Sequence, residues 1–305
     1  MLSADNPYFQ QVALLCALLP LVGRERCFAL KGGTAINMFV RDLPRLSVDI
    51  DLTYLPIEDR ATDLGNIGDA LNHMADAMEA ALRGVSVQRL AGEQDRTIKL
   101  QVTRGGVRVM IEVSPVLRGA VHEPVLRSGT QTVEQQFGFV EVPVLDTHEL
   151  YAGKLCAALD RQHPRDLFDV KVLMDAEGVD ADLIDVFLVY LVSGSRPLAE
   201  MLQPNFIPLT ETFESQFRGM ALNTVTLREL EETRQALVTQ LHERLSDAHK
   251  QFLIGFKRGE PDWNLLKVKN VDRLPGVQWK LQNLRRMDAK KREAALEKLN
   301  RVLYG

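Results

Sequence analysis

Along the first 145 residues the hydrophobic spacing switches repeatedly between helical and alternating. Pro7 to Leu21 is apolar on a helical repeat, and Cys27-Phe28-Ala29-Leu30 is a short continuous apolar run of the kind a buried strand needs. Thr34 to Val40 predicts a helix. In Leu46-Ser47-Val48-Asp49-Ile50-Asp51-Leu52 apolar and polar residues alternate, so Val48, Ile50 and Leu52 are predicted to enter the core and the residues between them to face the other way. Ala61 to Arg83 returns to helical spacing, with Leu64, Ile67, Leu71, Met74 and Met78 on one side. Residues 97–103 and 107–113 alternate on either side of Gly105-Gly106, which predicts a hairpin. It sets Val107, Val109, Ile111 and Val113 on one face and Arg108, Met110 and Glu112 on the other. Phe139 to Val144 is a further short strand. After Pro143 strand signals fade and long helical patterns continue to the end. The predicted fold class is α+β, a mixed-sheet domain over 1–145 followed by an all-helical domain over 146–305. No internal repeat or low-complexity linker interrupts the chain.

Composition narrows the class of protein. The chain has 305 residues, 46% of them hydrophobic and 26% charged, which suits a soluble globular chain with room for two domains. No apolar run reaches the ~18 residues that span a bilayer. Met1-Leu2-Ser3-Ala4-Asp5 lacks a basic leader, so Val12 to Val22 reads as a buried helix. Cys16, Cys27 and Cys156 lack metal-ligand spacing and read as thiols in a reducing cytoplasm. The six histidines form no zinc motif. The net charge of −4 conceals an asymmetry. From Lys257 to Gly305 the balance is +7, which leaves −11 on the rest. A run of this kind is either a solvated helical face or a surface for nucleic-acid phosphates.

The chemistry centres on Asp49 and Asp51. On a strand, i and i+2 share a face, so the two carboxylates emerge together and repel. A hard divalent cation such as Mg2+ supplies the counter-charge, bound by one or two carboxylates plus substrate phosphates. Gly32-Gly33, between a strand and a helix, permits close backbone approach and suits a phosphate. Each signal alone is common in proteins that use it only structurally; together, in this order, they are far more specific. Glu112, between apolar neighbours on a later strand, is the natural third carboxylate, its alternative being a plain solvent-facing Glu.

The run Gly-Gly-Thr, helix, then Arg45-Leu46-Ser47-Val48-Asp49-Ile50-Asp51 resembles the nucleotidyltransferase superfamily, and within it the AbiEii-type toxins of type IV toxin–antitoxin and abortive-infection systems. The gap from Gly to Asp is longer than usual, and Arg41-Asp42-Leu43-Pro44 is expected to form the extra turn. Lys154-Leu155-Cys156-Ala157-Ala158-Leu159-Asp160-Arg161, followed by Arg165-Asp166-Leu167-Phe168-Asp169, is similar to the same family. So is the C-terminal stretch around Pro261-Asp262-Trp263 and Leu274 to Leu284, where Trp279, Leu284 and Met287 read as core or interface anchors.

The resemblance implies a polymerase-beta-like nucleotidyltransferase domain ahead of the helical one. It implies an enzyme that moves a nucleotide from a nucleoside triphosphate, with Mg2+, to an acceptor such as the 3′ end of tRNA, blocking translation and growth. It implies metal at Asp49 and Asp51, helped by Glu112, and triphosphate on Gly32, Gly33, Thr34 and Ser47. It also implies a contribution to catalysis from Lys154 and from Asp166 or Asp169 across the domain interface. The bland alternative is that Asp166 caps its helix and Lys154 salt-bridges Asp166 or Asp169. As an active-site cation, Lys154 would be removable with little loss of stability. Removing Asp49 or Asp51 would relieve repulsion and raise the melting temperature of the metal-free protein. A cytoplasmic location and a separately encoded antitoxin without a tight complex complete the expectation. The rivals are an enzyme with a protein or small-molecule hydroxyl acceptor and a silent binding module; three converging acids argue against the second.

Overall fold

The computed structural model describes residues 8–92 and 96–305. The predicted helix start at Pro7 and residues 1–5 lie outside the described residues. The chain divides into two units, Met1–Thr147 with Gly219–Thr224, and His148–Arg218 with Val225–Gly305.

The first unit is built on a mixed sheet. Its strands are β1 (Phe28–Lys31), β2 (Asp49–Tyr54), β3 (Val85–Ala91), β4 (Thr97–Arg104), β5 (Val107–Val113), β6 (Val125–Ser128) and β7 (Glu141–Val144). They run in the order β3-β4-β5-β2-β1-β7-β6. The β2–β5 and β1–β7 pairs are parallel and the others antiparallel. Alternation decides the faces. Ile50, Leu52, Leu100, Val102, Val109, Ile111 and Val113 are buried. Two helices, α1 (Phe9–Val22) and α3 (Arg60–Ala81), pack on the sheet. Their apolar stripes, Leu15, Leu18 and Leu19 on α1 and Leu71, Met74 and Met78 on α3, are almost wholly buried. Asp59 caps α3 by accepting from the backbone N–H of Ala61 and Thr62.

Several boundaries differ from the sequence expectation for identifiable reasons. The predicted 46–52 strand begins at Asp49, and Val48 is only half-buried. The reason is Arg45, whose buried guanidinium donates to the Leu46 carbonyl at 2.8 Å and holds the approach irregular. The predicted Thr34 helix starts as α2 at Gly32–Ala35 and widens into a π turn over Ile36–Val40. Leu43 then adopts φ +56°, which completes the extra turn expected of residues 41–44. Phe139 lies outside β7 and is exposed.

The second unit is helical: α5 (Thr147–Asp160), α6 (Pro164–Ala176), α7 (Ala181–Ser193), α8 (Leu198–Leu202), α9 (Thr210–Gln216), α10 (Leu227–Arg244), α11 (Asp247–Arg258), α12 (Pro275–Arg286) and α13 (Ala289–Tyr304). A short α4 (Gln131–Phe137) belongs to the first unit. Caps set these ends. Thr226 with Glu229 and Ser246 with His249 form capping boxes, and Pro164 opens α6. Lys280 donates to the carbonyls of Gly194, Ser195 and Arg196 at 2.6, 3.0 and 3.1 Å, so it ties down the turn that leaves the end of α7. Leu284 is buried, while Trp279 on the same helix is 40% exposed and anchors no core.

One excursion matters for the site. Gly219–Thr224, late in the chain, belongs to the first unit. There Ala221 bridges Arg45, Leu46 donates to the Met220 carbonyl at 2.8 Å, and Leu222 donates to the Pro44 carbonyl at 2.9 Å. This strap pairs with the segment that leads into Asp49.

Candidate active site

The register of the sheet assembles the site. Asp49 and Asp51 are both half-buried on β2, on the face opposite Ile50 and Leu52. β5 runs parallel to β2, and Glu112 is the direct partner of Asp51. The sequence pattern therefore meets as two facing carboxylates, with Asp49 one step down the strand.

Two cations flank them. Lys31 on β1 is the cross-strand partner of Asp51, and Lys99 on β4 is that of Glu112. Directly opposed residues point to the same side of a sheet. Lys31, Asp51, Glu112 and Lys99 thus form one row across four adjacent strands, with charges of plus, minus, minus, plus. Lys99 Nζ lies 3.0 Å from Glu112 Oε1, and both side chains are about 40% exposed. Neither lysine was picked out by sequence reasoning. The signal was available, because once Gly105-Gly106 fixes the hairpin register, Lys99 must oppose Glu112.

The glycine turn presses against this row. Gly32 has φ +74°, and a Cβ there would stand 2.5 Å from Asp51 Oδ2. A Cβ on Gly33 would stand 2.5 Å from Arg45 Nη2 and 3.1 Å from Ser47 Oγ. Only glycine lets the backbone pass between the carboxylate and the guanidinium. Thr34 is 1% exposed and donates its hydroxyl to the Asp49 carbonyl at 2.5 Å. Its side chain ties turn to strand. Gly32→Ala is therefore expected to cost about 1–2 kcal/mol from the left-handed backbone alone and to displace Asp51. A melting curve and a transfer assay on the same preparation measure the two effects separately.

Asp49 and Asp51 fit a hard cation that completes its shell with phosphate oxygens and water. Glu112 offers the same oxygen chemistry, but its Oε1 is engaged by Lys99. Among the described residues, no group of three or more His, Cys, Asp or Glu is set to hold a metal ion.

The second unit holds the other sequence-predicted cluster. Lys154 on α5 lies 2.8 Å from Asp166 Oδ1 and 2.9 Å from Asp169 Oδ2 on α6. Asp166 also accepts from Arg161 Nε at 2.6 Å and Nη2 at 3.0 Å. Lys154 is 6% exposed, and the two aspartates are buried. Burial alone would raise the Asp166 pKa; Lys154 and then Arg161 outweigh it and hold this carboxyl far below the usual range. The helix cap that Asp166 was a candidate for is supplied by His163, whose Nδ1 accepts from the Arg165 N–H. The cysteines are ordinary free thiols. Burial pushes Cys16 up to about 12 and Cys27 up to about 11, away from thiolate chemistry.

A glycine turn pressed on paired acids is carried here by a mixed sheet, and comparison with known proteins gives the class as nucleotidyltransferase. The family model for the nucleotidyl transferase AbiEii toxin of type IV toxin–antitoxin systems matches residues 13–283, and the chain belongs to that family. In fold it is similar to MenT4, a nucleotidyltransferase toxin from Mycobacterium tuberculosis H37Rv. That match has 16% identity and a TM-score of 0.61, and it covers 97% of this chain and 95% of that one. Terminal uridylyl transferase 4 from Trypanosoma brucei with bound dUTP aligns over 96% of this chain and 94% of its own, at 13% identity and a TM-score of 0.29. No curated protein matches the chain. Among the described residues no helix is long and apolar enough to cross a membrane.

Proposed function

We propose that this toxin transfers a nucleoside monophosphate from a nucleoside triphosphate to a hydroxyl of RNA, with the 3′ end of tRNA as the acceptor, and that growth stops because the modified tRNA cannot be charged. The observation that carries the reading is the in-register row of Asp51 and Glu112, with Asp49 beside it and the Gly32 backbone packed against Asp51.

Asp49 and Asp51 would hold Mg2+, whose charge offsets the triphosphate and stabilises pyrophosphate as it departs. The Gly32-Gly33 backbone receives phosphate oxygens, and Arg45 and Ser47 hold that turn from behind. Glu112 accepts a hydrogen bond from the acceptor hydroxyl and orients it for attack on the α-phosphorus. Lys154 serves catalysis by fixing Asp166 and Asp169 in the second unit. The triphosphate and a separately encoded antitoxin are the partners this family membership implies, and no tight complex with the antitoxin is proposed.

RNA is favoured as acceptor by charge. Lys257 is buried and Lys280 is engaged, yet Arg285, Arg286, Lys290 and Lys291 stand exposed at the end of α12 and the start of α13. The test is incubation with each radiolabelled triphosphate and total cellular RNA, followed by gel analysis. Label on a tRNA band supports the reading. Label on protein or on a small molecule would replace RNA by that acceptor.

Reversing these four charges is expected to weaken RNA binding and leave triphosphate binding unchanged. The plot of log affinity against log salt should flatten by about 0.7 for each phosphate that is no longer neutralised. Titrations of both ligands over a salt series measure this. Unchanged RNA affinity would remove this surface from the acceptor site.

A further inference from the structure

The row Lys31, Asp51, Glu112, Lys99 contains a cation that the proposed chemistry does not use. Lys99 is bonded to the one carboxylate whose role in metal binding is open. Its ammonium sits 3.0 Å from Glu112 Oε1, where a divalent cation approaching that oxygen would meet a unit positive charge. The pair is directly cross-strand, so the backbone holds Lys99 beside Glu112 whatever its rotamer. At about 40% exposure neither side chain is locked by packing. The ammonium is long-stemmed and flexible and can turn to a nearby polyanion. Such a polyanion would lie close by, because β2 presents Asp49 and Asp51 on one face and the Gly32 turn packs against Asp51.

We propose that Lys99 is a positioning residue that withholds Glu112 from metal in the nucleotide-free protein and releases it when a triphosphate draws the ammonium away. Divalent metal then reaches Glu112 only together with the nucleotide. This rests on the proposed metal role of Asp49 and Asp51, and it adds Glu112 to that metal set when nucleotide is bound, beside its contact with the acceptor hydroxyl. It makes the empty enzyme a weak metal binder by construction, and it spares the facing carboxylates their repulsion between turnovers.

The test is Mn2+ binding to the full chain, followed by the electron paramagnetic resonance signal of free Mn2+. Wild type, Lys99→Met, Lys99→Arg and the double variant Lys99→Met with Glu112→Gln are titrated without nucleotide. They are titrated again with the α,β-methylene analogue of each of the four triphosphates. Lys99→Met should bind Mn2+ about tenfold tighter than wild type without nucleotide, as expected when one unit charge leaves bonding distance of a carboxylate. Lys99→Arg should match wild type, and Glu112→Gln should cancel the gain. The advantage of Lys99→Met should shrink once an analogue is bound.

A half-exposed strand lysine is dispensable for folding, and melting temperatures confirm that each variant is intact. Equal affinity in Lys99→Met and wild type would overturn the proposal, as would a gain that survives Glu112→Gln. If Asp51→Asn abolishes Mn2+ binding in every background while Lys99→Met gains nothing, only the Lys99 proposal falls. If no variant binds Mn2+ even with an analogue, the metal reading falls as well.

Discussion

Lys154→Met is expected to cost the protein about 3–5 kcal/mol of stability, because it leaves two buried carboxylates without the cation between them. The sequence expectation is of a catalytic lysine whose loss the fold tolerates, with a salt bridge to Asp166 or Asp169 as its alternative. Lys154 is 6% exposed and bridges Asp166 and Asp169 at 2.8 and 2.9 Å. Arg161 still serves Asp166 in the variant. Urea denaturation of wild type and Lys154→Met, with Lys154→Met/Asp169→Asn alongside, measures it. Recovery of stability in the double variant is the expected sign of an uncompensated charge, and a cost below about 1 kcal/mol in Lys154→Met would contradict the bridge.

The same pairing makes a statement about pH. The Asp166 carboxyl is held below its ordinary range by Lys154 and Arg161 against the opposing effect of burial. Its stabilising contribution is therefore fully present above the unfolded pKa of about 3.9. It is lost as pH falls through the folded value. Acid unfolding of Lys154→Met should begin at higher pH than that of wild type. Activity is best quoted per folded molecule, so that loss of folded protein is not read as loss of catalysis.

Asp51→Asn is expected to lower nucleotidyl transfer by about 10³-fold, the upper end for one electrostatic group acting on a transition state. The change is isosteric and keeps the side chain packed on Gly32. Stability should stay within about 0.5 kcal/mol of wild type, as for a half-exposed site. From the sequence alone, removing a repelling carboxylate promised a gain in melting temperature. With Lys31 cross-strand from Asp51 and Lys99 paired to Glu112 in the same row, no such gain is expected. Transfer above a tenth of wild type in well-folded Asp51→Asn would dismiss Asp51 as a metal-binding residue.

Most of the sheet was legible because alternation is a local property. The hairpin of β4 and β5 and the opposite faces of Ile50 and Asp51 follow from residues a few positions apart. Pairing β2 with β5 is a different matter. The two segments lie about sixty residues apart and run parallel, and local pattern says nothing about which strands become neighbours. Glu112 could therefore be named as a candidate acid, while its placement opposite Asp51 and beside Lys99 could not. β3 and β6 were missed for another reason. Val85–Ala91 and Val125–Ser128 lie at the two edges of the sheet, where polar and apolar residues are both solvent-exposed and alternation carries little signal. Lys154 was correctly grouped with Asp166 and Asp169, but its burial was invisible, since helical spacing gives a face and not the depth to which that face is covered.

The strap at Gly219–Thr224 gives the protein a clock during its own synthesis. The segment leading into Asp49 lacks two of its backbone hydrogen bonds until Met220 and Leu222 have been made, roughly seventy-five residues after the last strand of the sheet. At elongation rates of about 5–20 residues per second, that interval is about 4–15 s. A chain still short of the strap already carries every acid of the row but not the two backbone hydrogen bonds that Met220 and Leu222 bring to the approach to Asp49.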